Sequence, residues 1–254
     1  MKKIIYLILG VFIVVSSFKA TNKPVKILIA GDSTAQTYTE ERDGLIRGWG
    51  QMLPLFLDSS ITVVNHAIGG RSTKSFIAER RWERLLDDTH AGDIVMIQFG
   101  HNDSSTRPER HASYQQYEEN LIKMIQDVRQ KSATPILLTS VVMRTFVDGN
   151  LVDDRLKGYP AIMRKLAREH QVLLIDINLR SRDFITMLGD EASKPYYRWV
   201  EPGVDPVRPE GLQDDTHTME KGARKIACFV AEGLSVLDLP QINRHILLPE
   251  TTDR

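Results

Sequence analysis

Four short polar segments of this chain carry side chains that could perform acyl transfer. They are Gly31-Asp32-Ser33-Thr34, Asn65-His66-Ala67-Ile68-Gly69-Gly70-Arg71-Ser72, Phe99-Gly100-His101-Asn102-Asp103 and Asp214-Asp215-Thr216-His217. Ser33 offers a hydroxyl, which becomes a useful nucleophile only beside a base. His217 can be that base. An acid three residues before a histidine in a turn can accept its Nδ1 proton, fix the tautomer and leave Nε2 free for the serine proton. Asp214 has that spacing, and Asp215 remains open as the alternative. Paired glycines at 69 and 70 let a backbone amide point outward, and Asn102 supplies a side-chain amide. Each segment alone also has a plain structural reading: Ser33 and Ser72 as helix caps, Gly70 and Asn102 as turn residues, and the acidic stretch before His217 as a solvated cap.

The elements that precede these segments decide whether they meet. Apolar runs rich in β-branched residues, Val25–Ala30, Ile61–Ala67, Ile94–Phe99, Ile136–Thr139 and Val172–Ile175, read as buried strands. Helical spacing recurs over Tyr114–Lys131, where Tyr117, Leu121, Met124, Ile125 and Val128 fall three or four residues apart, and over Pro160–His170. A last helix is expected over Met219–Leu237. Strands alternating with helices imply right-handed crossovers and a parallel sheet covered on both faces, a three-layer α/β/α sandwich. In a five-stranded sheet of order 2-1-3-4-5, strands two, one and three are neighbours about 4.8 Å apart. Gly70, Ser33 and Asn102 then converge at the carboxyl ends, where open α/β sheets bind ligands.

In that order and wording the four segments resemble the blocks of the SGNH (GDSL-type) hydrolases, over nearly all of the chain after its first twenty residues. Gly-Asp-Ser-Thr, Ala-Ile-Gly-Gly-Arg-Ser, Gly-Asp-Ile-Val-Met-Ile-Gln-Phe-Gly-His-Asn-Asp and Asp-Asp-Thr-His most resemble the rhamnogalacturonan acetylesterases. The resemblance implies a serine esterase with Ser33 as nucleophile, His217 as base and Asp214 as the acid three places before it. It further implies Gly70, Asn102 and the Ser33 amide as oxyanion donors. No metal or organic cofactor is implied, and the expected partner is an acetylated polysaccharide. Two alternatives stand beside this reading: a lipase, lysophospholipase or thioesterase of the same family, and a noncatalytic carbohydrate-binding protein.

The segment Glu191–Thr216 has no visible periodicity and reads as a long functional loop. Its Tyr196, Tyr197, Arg198 and Trp199 suit stacking on sugar rings and pairing with uronate carboxylates, or else packing beneath the loop. Arg71 is a further candidate substrate contact, with a salt bridge as its alternative.

Composition narrows the field. The 254 residues carry 33 basic and 33 acidic side chains, so no overall field exists to hold nucleic acid or an anionic membrane. The sequence contains no His-Glu-x-x-His, no phosphate-binding loop and no dinucleotide fingerprint after a strand, and it lacks Gly-x-Ser-x-Gly. Met1-Lys2-Lys3, the apolar run Ile4–Val15 and Ser16-Ser17 read as an export signal over residues 1–20, an uncleaved anchor being the alternative. Residues 21–254 then form one domain, periplasmic or extracellular, with no stable membrane association. Cys228, the single cysteine, excludes an internal disulfide and reads as a buried structural thiol. A histidine must be neutral to act as base, so ester hydrolysis should rise with pH as the imidazole loses its proton. A kcat/KM flat from acid to alkaline pH would contradict that role.

Overall fold

In chain order the elements are β1 (Lys26–Gly31), the short helices α1 (Glu40–Asp43) and α2 (Trp49–Met52), β2 (Thr62–Asn65), α3 (Thr73–Ala78), α4 (Arg81–Asp88), β3 (Ile94–Gln98), α5 (Tyr114–Gln130) and β4 (Thr134–Leu138). A hairpin of β5 (Thr145–Val147) and β6 (Asn150–Val152) follows, then α6 (Tyr159–Glu169), β7 (Leu173–Ile175), α7 (Ile177–Ser193), β8 (Tyr197–Val200), β9 (Leu212–Thr218) and α8 (Glu220–Val236). The structure is a computed structural model that describes residues 25–249 except 153, 154 and 157. The proposed export signal lies outside the described residues.

The five runs read as buried strands form one sheet of order β2-β1-β3-β4-β7. Every pairing in it is parallel. The reason these runs are continuously apolar is that both faces are covered. Successive strand residues point to opposite sides. Ile27, Ile29, Met96 and Ile136 therefore pack with Trp49 of α2 and with Ala223, Ala227, Val230 and Leu234 of α8. Leu28, Ala30, Val95 and Ile97 pack on the other side with Phe76, Trp82, Leu121, Met124 and Met163, drawn from α3 to α6. Cys228 is buried in the first of these layers. No helix among the described residues is long and apolar enough to cross a membrane.

Most element ends differ from the sequence reading by one or two residues, which is where helices and strands fray. Two differences are larger. Helix α7 was not expected. Its buried face includes Asn178 and Ser181 beside Ile177 and Ile185, so polar residues interrupt the apolar stripe, and Gly189 at φ 74° breaks it near the end. The second correction concerns Glu191–Thr216. It is not an aperiodic loop, because β8 and β9 cross it as an antiparallel ribbon. A buried arginine, Arg198, disguises β8: its guanidinium lies 2.8 Å from the fully buried Asp205, so a charge occupies what would otherwise be a core position.

Helix α8 seats directly on the chain entering this ribbon. A Cβ on Gly222 would lie 1.8 Å from the Tyr196 carbonyl oxygen, with the Tyr196 carbonyl carbon and Thr218 close behind. Gly222→Ala must therefore push the ribbon off the helix. We expect it to lower unfolding free energy by about 2 kcal/mol, the scale of a forced overpacking, as read by chemical denaturation.

Candidate active site

Ser33 stands two residues past β1, in a turn that the sequence locks from several sides. Asp32 is fully buried, and its Oδ1 accepts the Thr34 amide at 3.0 Å and the Thr34 hydroxyl at 2.8 Å. The Ser33 carbonyl accepts the Tyr38 hydroxyl at 2.8 Å, and the Trp49 amide donates to the Thr34 carbonyl. The serine thus cannot tilt without breaking bonds in a dry environment, where each broken partner is costly.

His217 reaches Ser33 because β9 bulges. Tyr197 pairs with Thr218 and Arg198 with Asp214, so residues 215–217 loop out between two paired positions. Just beyond the bulge, the Arg47 amide donates to the Thr218 carbonyl and the Thr218 hydroxyl donates to the Arg47 carbonyl at 2.8 Å. These bonds hold the histidine against the segment leading into α2. His217 Nε2 lies 2.9 Å from Ser33 Oγ, and its Nδ1 lies 2.7 Å from Asp214 Oδ2. The other Asp214 oxygen accepts the amides of Thr216 at 2.8 Å and His217 at 3.0 Å. Burial acts to raise the Asp214 carboxyl, but the hydrogen bond and charge of His217 and these two amides outweigh it and hold Asp214 below the ordinary range.

Asp215 faces elsewhere. Its Oδ1 accepts Arg144 Nε at 2.9 Å and Trp199 Nε1 at 2.8 Å. Of the two acids left open by the sequence, the structure brings Asp214 to the imidazole. Arg144, which the sequence reading did not single out, is almost wholly buried and also pairs with Asp190. Its amide donates to the Asp215 carbonyl at 2.8 Å, so it fastens the bulge from behind. No motif marks Arg144; only its burial does.

Gly69 and Gly70 pass beside the serine, as the strand order requires. A Cβ on Gly69 would lie 3.5 Å from Ser33 Cβ, and the Gly69 amide donates to Gln36 Oε1. Gly70 has φ 78°, a conformation glycine adopts without strain. Asn102, nearly buried, donates through Nδ2 to the Arg71 carbonyl at 3.2 Å. The adjoining Asp103 has no exposed surface, and its Oδ1 accepts the Thr73 amide at 3.0 Å and the Thr73 hydroxyl. That carboxyl ties the turn after β3 to the start of α3, fixing Asn102 against Gly70. Burial, opposed in part by the Thr73 bonds, pushes Asp103 up to about 7.

The candidate substrate contacts fare differently. Arg71 is engaged with Glu79 at 3.1 Å and with the Gly69 carbonyl at 2.9 Å, so it braces its own loop. Trp199 gives its indole N–H to Asp215, while Arg144 and Lys194 sit 4.4 and 4.5 Å from its ring. It nonetheless stays partly exposed and lines a cleft with Glu191, Lys194 and Gln213. Tyr197 is buried with its hydroxyl on the Val142 carbonyl, and Tyr196 packs edge-on against Phe184. With Arg198 paired to Asp205, Tyr197 and Arg198 are committed to holding the ribbon together, whereas Tyr196 and Trp199 keep part of their surface exposed. A residue with no sequence signal, Arg110, lies against the site instead, its Nη1 3.4 Å from Asn102 Oδ1. Among the described residues no group of three or more His, Cys, Asp or Glu could hold a metal ion.

Residues 29–225 match the model of the GDSL-like lipase/acylhydrolase family. Rhamnogalacturonan acetylesterase RhgT of Bacillus subtilis (strain 168) is 36% identical over 228 residues, covering 90% of this chain and 97% of that protein. The probable rhamnogalacturonan acetylesterase YesY of the same organism is 38% identical, covering 84% of this chain and 94% of that protein. Among solved structures, the crystal structure of YxiM from Bacillus subtilis superposes with a TM-score of 0.71 at 29% identity over 84% of this chain. This chain spans 56% of YxiM.

The buried Asp103 has a measurable consequence. Its folded value is raised above the unfolded one, so the stability linked to its proton is complete below the unfolded value and declines as pH rises through about 7. Asp103→Asn should remove that decline. Relative to the variant, the wild type should lose on the order of 2 kcal/mol between about pH 5 and about pH 8. Thermal melts of both proteins across that range would show it, and parallel curves would refute it.

Proposed function

Because the chain belongs to the GDSL-like lipase/acylhydrolase family, we propose that it removes acetyl groups from a plant cell-wall polysaccharide of the rhamnogalacturonan type through an acyl-enzyme on Ser33. It is a carboxylic ester hydrolase, and its fold is that of the SGNH hydrolases. The observation that carries the mechanism is the unbroken relay from Ser33 Oγ through His217 to Asp214, with contacts of 2.9 and 2.7 Å.

His217 Nε2 takes the Ser33 proton as Oγ attacks the acetyl carbonyl carbon, while Asp214 holds the Nδ1 proton and stabilises the imidazolium. The resulting oxyanion is held by the Ser33 and Gly70 amides and by Asn102 Nδ2. Collapse of the tetrahedral carbon releases the sugar oxygen, which leaves with the proton from His217. Water, deprotonated by the same imidazole, then attacks the acetyl-enzyme, and acetate departs with Ser33 restored.

The names of two relatives favour acetate over a long acyl chain. The relatives RhgT and YesY are named as acetylesterases. Export is part of the proposal and rests on the N-terminal pattern of residues 1–20 alone.

Purified protein should release acetate from acetylated rhamnogalacturonan and should prefer p-nitrophenyl acetate to the decanoate; the reverse preference would favour a lipase. Asn102→Ala should lose about 10² to 10³ in turnover, the usual cost of one oxyanion donor. Ser33→Ala should lose on the order of 10⁴ or more. A Ser33→Ala protein retaining about a tenth of wild-type activity would exclude Ser33 as nucleophile.

A further inference from the structure

We propose that Arg110 is a positioning residue for the reaction, a single guanidinium that fixes and polarises both donors of the oxyanion site from outside. The inference rests on reading Asn102 and Gly70 as those donors. Its observation is a juxtaposition: the Arg110 guanidinium lies flat against Gly70 and points a nitrogen at the Asn102 amide. A Cβ on Gly70 would lie 3.2 Å from Arg110 Cζ, 3.2 Å from Nη2 and 3.4 Å from Nη1. A Cβ there would press on the guanidinium and oblige it to give by a few tenths of an ångström. The same Nη1 is 3.4 Å from Asn102 Oδ1.

The chemistry of the two Asn102 partners fixes its orientation. A primary amide can turn over, exchanging its oxygen and nitrogen, unless its neighbours distinguish the ends. The Arg71 carbonyl can only accept, and it takes Asn102 Nδ2. The Arg110 guanidinium can only donate, and it faces Oδ1. The pair therefore allows one orientation of the amide, with one N–H on Arg71 and the second N–H available to a reacting oxygen. Donation to Oδ1 also draws electron density from the amide nitrogen, which strengthens the remaining N–H as a donor.

The rest of the protein keeps that cation in place and uncommitted. The Arg110 amide donates to the Arg107 carbonyl at 3.0 Å, and the Ala112 amide to the Asp103 carbonyl at 3.1 Å. His111 Nδ1 lies 3.0 Å from the same carbonyl. This loop is thus pinned to the residue that follows Asn102. Arg144, Arg164 and Arg198 each meet a carboxylate within 2.9 Å. Arg110 has Glu109 at 4.0 Å as its ion-pair partner among the described residues, and that glutamate is largely exposed. A positive charge so weakly balanced, beside two groups that must hold a negative one, is suited to the transition state.

The test is steady-state hydrolysis of p-nitrophenyl acetate, an uncharged ester, by wild type, Arg110→Met, Arg110→Lys and each change combined with Asn102→Ala. Arg110→Met should lower kcat by about 10- to 100-fold, less than loss of a donor itself, with KM altered less than about threefold. Arg110→Lys keeps the charge and a donor and should recover part of the loss. In the Asn102→Ala background the same changes should cost much less, because residues acting through one another are not additive. Equal losses in both backgrounds would overturn the proposal. So would an Arg110→Met enzyme within about threefold of wild type on this ester. A defect confined to KM on anionic polysaccharide would make Arg110 a substrate contact instead. A wild type that fails to cleave p-nitrophenyl acetate would sink the esterase reading and this assignment together, whereas the other outcomes strike Arg110 alone.

Discussion

The contact between His217 Nε2 and Ser33 Oγ joins residues 184 positions apart in the chain, and most of the molecule is arranged so that this one distance is kept. The sheet places Ser33 at the carboxyl end of a central strand with β2 and β3 on either side. The histidine comes from outside the sheet. It hangs between a ribbon and a helix, so it depends on the bonds that stitch Thr218 to Arg47 and on the seat of α8 against Tyr196. The two halves of the site are thus held by different physics. Continuous apolar burial fixes the serine, and a small set of directional polar contacts fixes the histidine.

Behind them, Arg144, Arg198 and Asp205 are unusually well buried for charged groups. Arg144 bridges Asp190 and Asp215 while lying 4.4 Å from the Trp199 ring, and Arg198 closes on Asp205. A buried ion pair often adds little net stability, because desolvation offsets attraction. What these pairs add is direction. An apolar contact would let the ribbon slide by a fraction of a residue, whereas a guanidinium fork on a carboxylate does not. A site that needs a proton to pass from Ser33 to His217 while Asp214 holds the imidazole in place benefits more from such direction than from extra stability.

The sheet was legible because its strands are buried on both faces, so Ile27–Ala30 and Ile94–Ile97 are apolar without interruption and cannot be mistaken for a surface element. The polar turns that follow were legible for a related reason: strand order alone brings Ser33, Gly70 and Asn102 together. Helix α7 escaped notice because Asn178 and Ser181 occupy its inner face, although Asp176, whose side chain accepts the Leu179 amide, is an N-cap that could have marked its start. Tyr197 is committed to the ribbon while Trp199 keeps an exposed face, a distinction the sequence does not carry because exposed aromatics and packed ones look the same in it. Arg144 and Arg110 carry no spacing or motif at all. Arg144 meets partners several elements away, and Arg110 meets Gly70 across an intervening strand and two helices, contacts that only a folded chain reveals.

The bulge between Asp214 and Thr218 also bears on how the ribbon can vary. Beyond it, Arg198, Trp199 and Val200 pair in simple succession with Asp214, Gln213 and Leu212. A strand shifted by a single residue would present alternate side chains to the opposite face. Asp215 would then stand where Asp214 stands, and Arg144 would grip the wrong carboxylate. The irregularity absorbs the extra residues locally. The spacing of the catalytic pair is thus set inside the strand itself, while the connection from β8 to β9 is held separately, by its buried Asp205 on Arg198.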